Sequence, residues 1–101
     1  MWRARLRRSA LDEKALVEQA RRGDLDAFDE LVRRYNAEAY RCAYLILRHE
    51  DDAAEATQEG FVRAYRGLSS LRSYDHFRPW LLRIIKNEAL RHVSTRSRRR
   101  E

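Results

Sequence analysis

From Leu25 to Arg48 the sequence runs LDAFDELVRRYNAEAYRCAYLILR, with Phe28, Leu31, Val32, Tyr35, Ala39, Cys42, Ala43, Ile46 and Leu47 recurring at i, i+3, i+4 and i+7. A stripe with that period is one face of an α-helix, because a strand would alternate every second residue. With three glycines and one proline in 101 residues, the chain also lacks the punctuation that a many-stranded β fold needs. One helix-rich domain is the expectation.

Three more helices can be read around this one. The first spans about Asp12 to Arg22 and stops at Gly23-Asp24, a glycine cap followed by a turn acid. After His49-Glu50-Asp51-Asp52 a third helix runs to about Tyr65, with Asp52 and Glu55 spaced as a capping box. Its inward residues are read as Ala54, Phe61, Val62, Tyr65 and Leu68. Gly67 and Ser69-Ser70 end it, and SSLRSYDHFR loses the periodicity and reads as a loop. Pro79 must lie in the first turn of the last helix, which continues to about Ser94. In that helix Phe77, Leu81, Ile84, Ile85, Ala89 and Val93 form an apolar face, while Arg83, Asn87 and Arg91 align on the other side. The expected architecture is all-α, a compact bundle of about four helices. Residues 1–11 form a basic N-terminal extension, 12–95 the helical domain, and 96–101 a basic tail or the start of a linker.

The formal net charge is +6 and only Lys14 and Lys86 among 22 basic residues are lysines. That balance favours a polyanionic partner, and arginine's planar fork suits phosphates and base edges. A genome rich in G and C explains the arginine bias equally well. The single cysteine, Cys42, excludes a disulfide framework, and its place within the apolar stripe suits a packed thiol in a reducing cytoplasm. No apolar run is long enough to span a bilayer, and MWRARLRRSA is not followed by a signal core. His49, His76 and His92 show no metal-binding spacing, and neither a phosphate loop nor a nucleophile motif is present. No enzyme, metal or cofactor is therefore expected.

Two constellations remain. Between Arg72 and Arg91, Tyr74, Phe77 and Trp80 alternate with Arg72, Arg78, Arg83 and Lys86. Single-stranded nucleic acid needs that mixture, since rings stack on bases at about 1–3 kcal/mol each while cations follow phosphates. Asn87 on the cationic stripe can both donate to and accept from a base edge. The competing reading makes Phe77 and Trp80 core anchors and the arginines a solvated face, and pattern alone leaves the two balanced. In AAEATQEGFVRAYRG, Glu55, Gln58 and Glu59 form one polar patch. It fits either an ordinary solvated surface or a docking edge for a basic partner helix.

The order of RRGDLDAFDELVRRYNAEAY, DDAAEATQEGFVRAY and FRPWLLRIIKNEALRHV resembles the second region of bacterial RNA polymerase sigma factors of the extracytoplasmic-function class. The resemblance covers roughly Ala15 to Arg96, and it is carried chiefly by the second motif followed by W-L-x-R-I-x-x-N. It implies a cytoplasmic, monomeric, non-enzymatic subunit. Core polymerase binding, on the β′ clamp helices, would fall to Glu55, Gln58, Glu59, Phe61 and Arg63. Arg72, Ser73, Tyr74 and His76 would surround a base flipped from the non-template strand of the minus-ten promoter element. Trp80, Arg83, Lys86 and Asn87 would lie at the upstream edge of the melted DNA, with Arg91 and the basic tail on phosphates. An anti-sigma factor is a further implied partner.

Such factors commonly carry an acid where this chain has Ala54, which leaves open which acid makes the polymerase contact. They also carry a second, helix-turn-helix domain, so a domain cut from a longer protein is expected rather than a short form. The alternatives are a helical interaction or regulatory module that never touches DNA, and a basic bundle for RNA or anionic membranes. The first would leave the aromatic loop without a purpose, and the second would not require Gln58-Glu59.

Overall fold

A computed structural model describes residues 13–100, which form α1 (Glu13–Arg21), α2 (Leu25–Leu47), α3 (Glu50–Arg66), two 3-10 turns (Leu68–Ser70 and Tyr74–His76) and α4 (Phe77–Arg100). There is no strand among the described residues. The expected N-terminal extension over 1–11 lies outside them.

Local chemistry sets the joints. Gly23 takes φ +98° at the end of α1, a conformation that costs glycine little. Its N–H donates to the Ala20 carbonyl and that of Asp24 to the Gln19 carbonyl, each at 3.0 Å, so the last carbonyls of the helix are satisfied. Asp24 then caps α2, its carboxylate accepting from the Ala27 N–H at 3.2 Å. Arg48 ends α2 in the left-handed region at φ 53°. The expected capping box at Asp52 is not used. His49 is the cap of α3, its Nδ1 accepting from the Asp52 N–H at 3.2 Å, and Glu50, Asp51 and Asp52 fill the positive first turn.

The core is drawn from all four helices: Leu16 and Val17 of α1, Phe28 and Leu31 of α2, Phe61 of α3, and Phe77, Leu81 and Ile85 of α4. Alanines at 39, 43, 53, 56, 64 and 89 are fully buried, which lets the helix axes come close. The inward face of α3 differs from the expected one. Ala53, Ala56, Thr57, Gly60, Phe61 and Ala64 point in, whereas Ala54, Val62 and Tyr65 are exposed. Small residues with a threonine make a less conspicuous stripe than valine and tyrosine. Thr57 is satisfied there because its hydroxyl donates to the Ala53 carbonyl at 2.7 Å.

Pro79 is the third residue of α4, where it displaces no intrahelical bond. The helix passes the expected end near Ser94 and runs to Arg100. No glycine or proline interrupts that stretch, and Arg96 is anchored by Asp52 and the Leu47 carbonyl, each at 3.1 Å. Cys42 is half-buried and its thiol pKa is raised, first by burial, as suits a packing role. No helix among the described residues is long and apolar enough to cross a membrane.

Candidate nucleic-acid and partner interfaces

The segment from Leu71 to His76 is held at both ends by buried side chains, Leu71 before it and Phe77 after it. Between them Arg72 and His76 are exposed, while Ser73 and Tyr74 are half-buried. Tyr74 is tied to α1: its hydroxyl donates to Glu18, and Lys14 Nζ and Arg21 Cζ lie 5.9 and 5.5 Å from its ring centroid. The hydrogen bond is the main cause of two opposite shifts, the Glu18 carboxyl below its ordinary pKa and the Tyr74 phenol above its own. Nearby, the Tyr35 hydroxyl donates to Glu13, and Arg78 at the start of α4 pairs with Glu38 of α2. The base of the loop is therefore braced against both α1 and α2.

Beyond the loop, α4 divides its faces as far as Ala89, whereas Leu90 and Val93 are exposed, the latter against its expected place on the apolar face. Phe77, Leu81, Ile85 and Ala89 are buried, whereas Arg83, Lys86, Asn87 and Arg91 are all exposed. Among the described residues Arg83, Lys86 and Arg91 make no ion pair, unlike Arg63, Arg78 and Arg96. Trp80 is half-buried at the rim of the core, its ring centroid 5.9 Å from that of Phe77. It is thus partly an anchor, as the competing reading expected. The outer face of α4 presents cations, one amide and an aromatic edge in continuity with the loop, which can follow a phosphate chain and offer hydrogen bonds to bases.

A second surface lies along α3. Glu55, Gln58 and Glu59 are exposed, and Gln58, Glu59, Val62, Arg63, Arg66 and Glu88 line a groove of about 700 Å³. Arg63 pairs at 2.6 Å with Glu88, which is only 3% exposed. Glu59 meets His92 of α4 at 3.0 Å, and this contact first of all lowers the Glu59 pKa, with burial opposing it. Phe61 is 7% exposed and belongs to the core, so little of its ring is left for a partner. Ligand atoms of Glu59, Glu88 and His92 lie within 4.8 Å of one another and could hold a cation. Arg63 and His92 already occupy those carboxylates.

The structure thus gathers the sequence-predicted residues, apart from the buried Phe61, into two groups, loop with α4 and the outer edge of α3. Sequence reasoning passed over Glu88 and His92, which stand one helical turn apart; a search for histidine pairs does not see a mixed pair. It placed Val62, three and four residues beyond Glu59 and Gln58, on the inward face of α3, whereas Val62 is exposed beside the groove. It also passed over the contacts of Lys14, Glu18 and Arg21 with a loop more than fifty residues away.

A family model described as Sigma-70 region 2 matches residues 31–99. The chain is 42% identical over 90 residues to the RNA polymerase sigma-H factor of Pseudomonas aeruginosa, a match covering 86% of this chain and 45% of that protein. It is 37% identical over 91 residues to the ECF RNA polymerase sigma-E factor of Escherichia coli, covering 88% of this chain and 46% of the other. The chain spans about half the length of the curated relatives it matches. Among solved structures, an engineered region 2 of sigmaE in complex with GTAAAA superposes with a TM-score of 0.82 at 33% identity, covering 88% of this chain and 93% of that one.

Proposed function

The chain belongs to the Sigma-70 region 2 family, and from that premise we propose that it recognises and helps to melt the minus-ten promoter element while bound to core RNA polymerase in the cytoplasm. The observation that carries this reading is the outer face of α4. Arg83, Lys86, Asn87 and Arg91 stand together in solvent, contiguous with a braced loop, while the opposite face forms the core. The engineered sigmaE region 2 bound to GTAAAA has the same fold and supports a single-stranded ligand.

In this mechanism the protein supplies binding energy, not bond chemistry. Extruding a base costs a few kcal/mol. Capture of that base beside Arg72, Ser73, Tyr74 and His76, with stacking at Trp80, offsets the cost, so melting follows from binding the open strand. Arg83, Lys86 and Arg91 hold phosphates without reading sequence, and Asn87 supplies the hydrogen bonds that can discriminate between bases. Glu55, Gln58 and Glu59 dock on the β′ clamp helices. Val62 and Arg63 border that contact.

Asn87→Ala tests the reading role. It should cost about 1–3 kcal/mol on the preferred single strand and little on a permuted one, measured by fluorescence anisotropy, and leave core binding intact. Equal loss on both strands would contradict that role.

A further inference from the structure

We propose that one face of α1 extends the nucleic-acid surface, with Lys14 and Arg21 contacting the phosphodiester backbone of single-stranded DNA beside the base held at the Tyr74 loop. The inference rests on the single-strand reading above and adds a third element to it.

Lys14, Glu18 and Arg21 are spaced i, i+4 and i+7, so they share one face of α1, with the two cations about 10 Å apart along the axis. All three meet the same residue. Glu18 accepts from the Tyr74 hydroxyl and fixes the ring, while Lys14 Nζ and Arg21 Cζ sit 5.9 and 5.5 Å from the ring centroid. The ring quadrupole attracts cations and so keeps both charges beside the loop. Yet the two side chains are exposed, and neither has an ion pair among the described residues. The acid between them is already engaged, because Glu18 also accepts from Arg22 Nε at 3.1 Å. The result is positive charge placed on the rim of the loop that would hold an extruded base.

This arrangement also gives Tyr74 a definite task. With its hydroxyl bound and cations at its ring, it acts as the post on which α1 presents charge to the strand. A basic face on a short helix is often mere solvation, but a merely solvated face has no reason to converge on the recognition loop.

The experiment measures the affinity of the full 101-residue chain for fluorescein-labelled GTAAAA and a permuted hexamer as NaCl is raised from 50 to 200 mM. Each phosphate contact contributes a slope of about −0.7 in log K against log salt for a single strand. Lys14→Gln and Arg21→Gln should each flatten the slope by about 0.7 and the double variant by about 1.4, which is about a sevenfold smaller loss across the fourfold salt rise. The ratio between the two hexamers should stay as in wild type, and Lys14→Arg with Arg21→Lys should restore the slope. Arg33→Gln, an exposed cation on α2 tied to Glu30, controls for net charge and should keep the wild-type slope. Unchanged slopes in the glutamine variants, or an equal flattening in Arg33→Gln, would overturn the inference while leaving the single-strand reading in place. Failure of the wild type to bind either hexamer would instead overturn that reading, and this inference with it.

Discussion

Glu59 faces two ways, toward solvent where a partner would dock and toward His92, 3.0 Å away on α4. Its carboxyl sits below the ordinary 4.5, first because of His92, so the folded chain binds a proton there less readily than the unfolded chain. The stabilisation is therefore present above 4.5 and is lost as pH falls through the lowered value. Because the carboxylate is solvent-accessible, the effect is a fraction of a kcal/mol. Glu59→Gln should lower the urea midpoint slightly at pH 7 and match wild type near pH 2, and His92→Gln should return the Glu59 titration, followed by carboxyl NMR, toward 4.5. Glu88 is the more demanding residue, since its buried carboxylate faces Arg63 at 2.6 Å. Arg63→Met should cost about 1–3 kcal/mol by leaving that charge uncompensated, with water at the exposed rim limiting the loss. Urea denaturation reads it directly.

At the scale of elements, the contact between α3 and α4 turns on Gly60. A Cβ built there would stand 2.5 Å from Ile85 Cδ1 and 3.5 Å from Ile85 Cα. Alanine would raise helix propensity by about 1 kcal/mol, but it would force the tip of a fully buried isoleucine aside at about 1–3 kcal/mol. Gly60→Ala alone should therefore be neutral to destabilising. On an Ile85→Val background, where the clashing methyl is gone, the same change should stabilise, and thermal melts of the four variants would show the reversal of sign. Such packing also explains where sequence reading of α3 failed. The long stripe of α2 and the faces of α4 as far as Ala89 were legible because large apolar residues mark them. The inward face of α3 is built of alanine, threonine and glycine, whose value lies in being small, and hydrophobic periodicity gives them little weight. The cap went unread for a similar reason, because a histidine ring did what an aspartate was expected to do.

For the molecule as a whole, α4 is the element that serves both proposed surfaces. Arg83, Lys86, Asn87 and Arg91 look outward, while Glu88 and His92 reach back to Arg63 and Glu59 on the proposed docking edge of α3. Those motifs sit in contiguous stretches, so both proposed surfaces could be drawn from sequence. The brace could not, because Tyr74 and Glu18 are 56 residues apart and only folding brings Glu18, Lys14 and Arg21 to the loop. The central claim is that this bundle is a polymerase subunit domain whose α3 edge docks on the core enzyme. Its most direct test is a pull-down of purified core RNA polymerase with the wild-type chain and with Glu59→Arg, each checked for folding by circular dichroism. The wild type should retain core enzyme and Glu59→Arg should retain markedly less. Retention by neither would contradict the polymerase-subunit account of this chain, and equal retention by both would remove Glu59 from the docking edge.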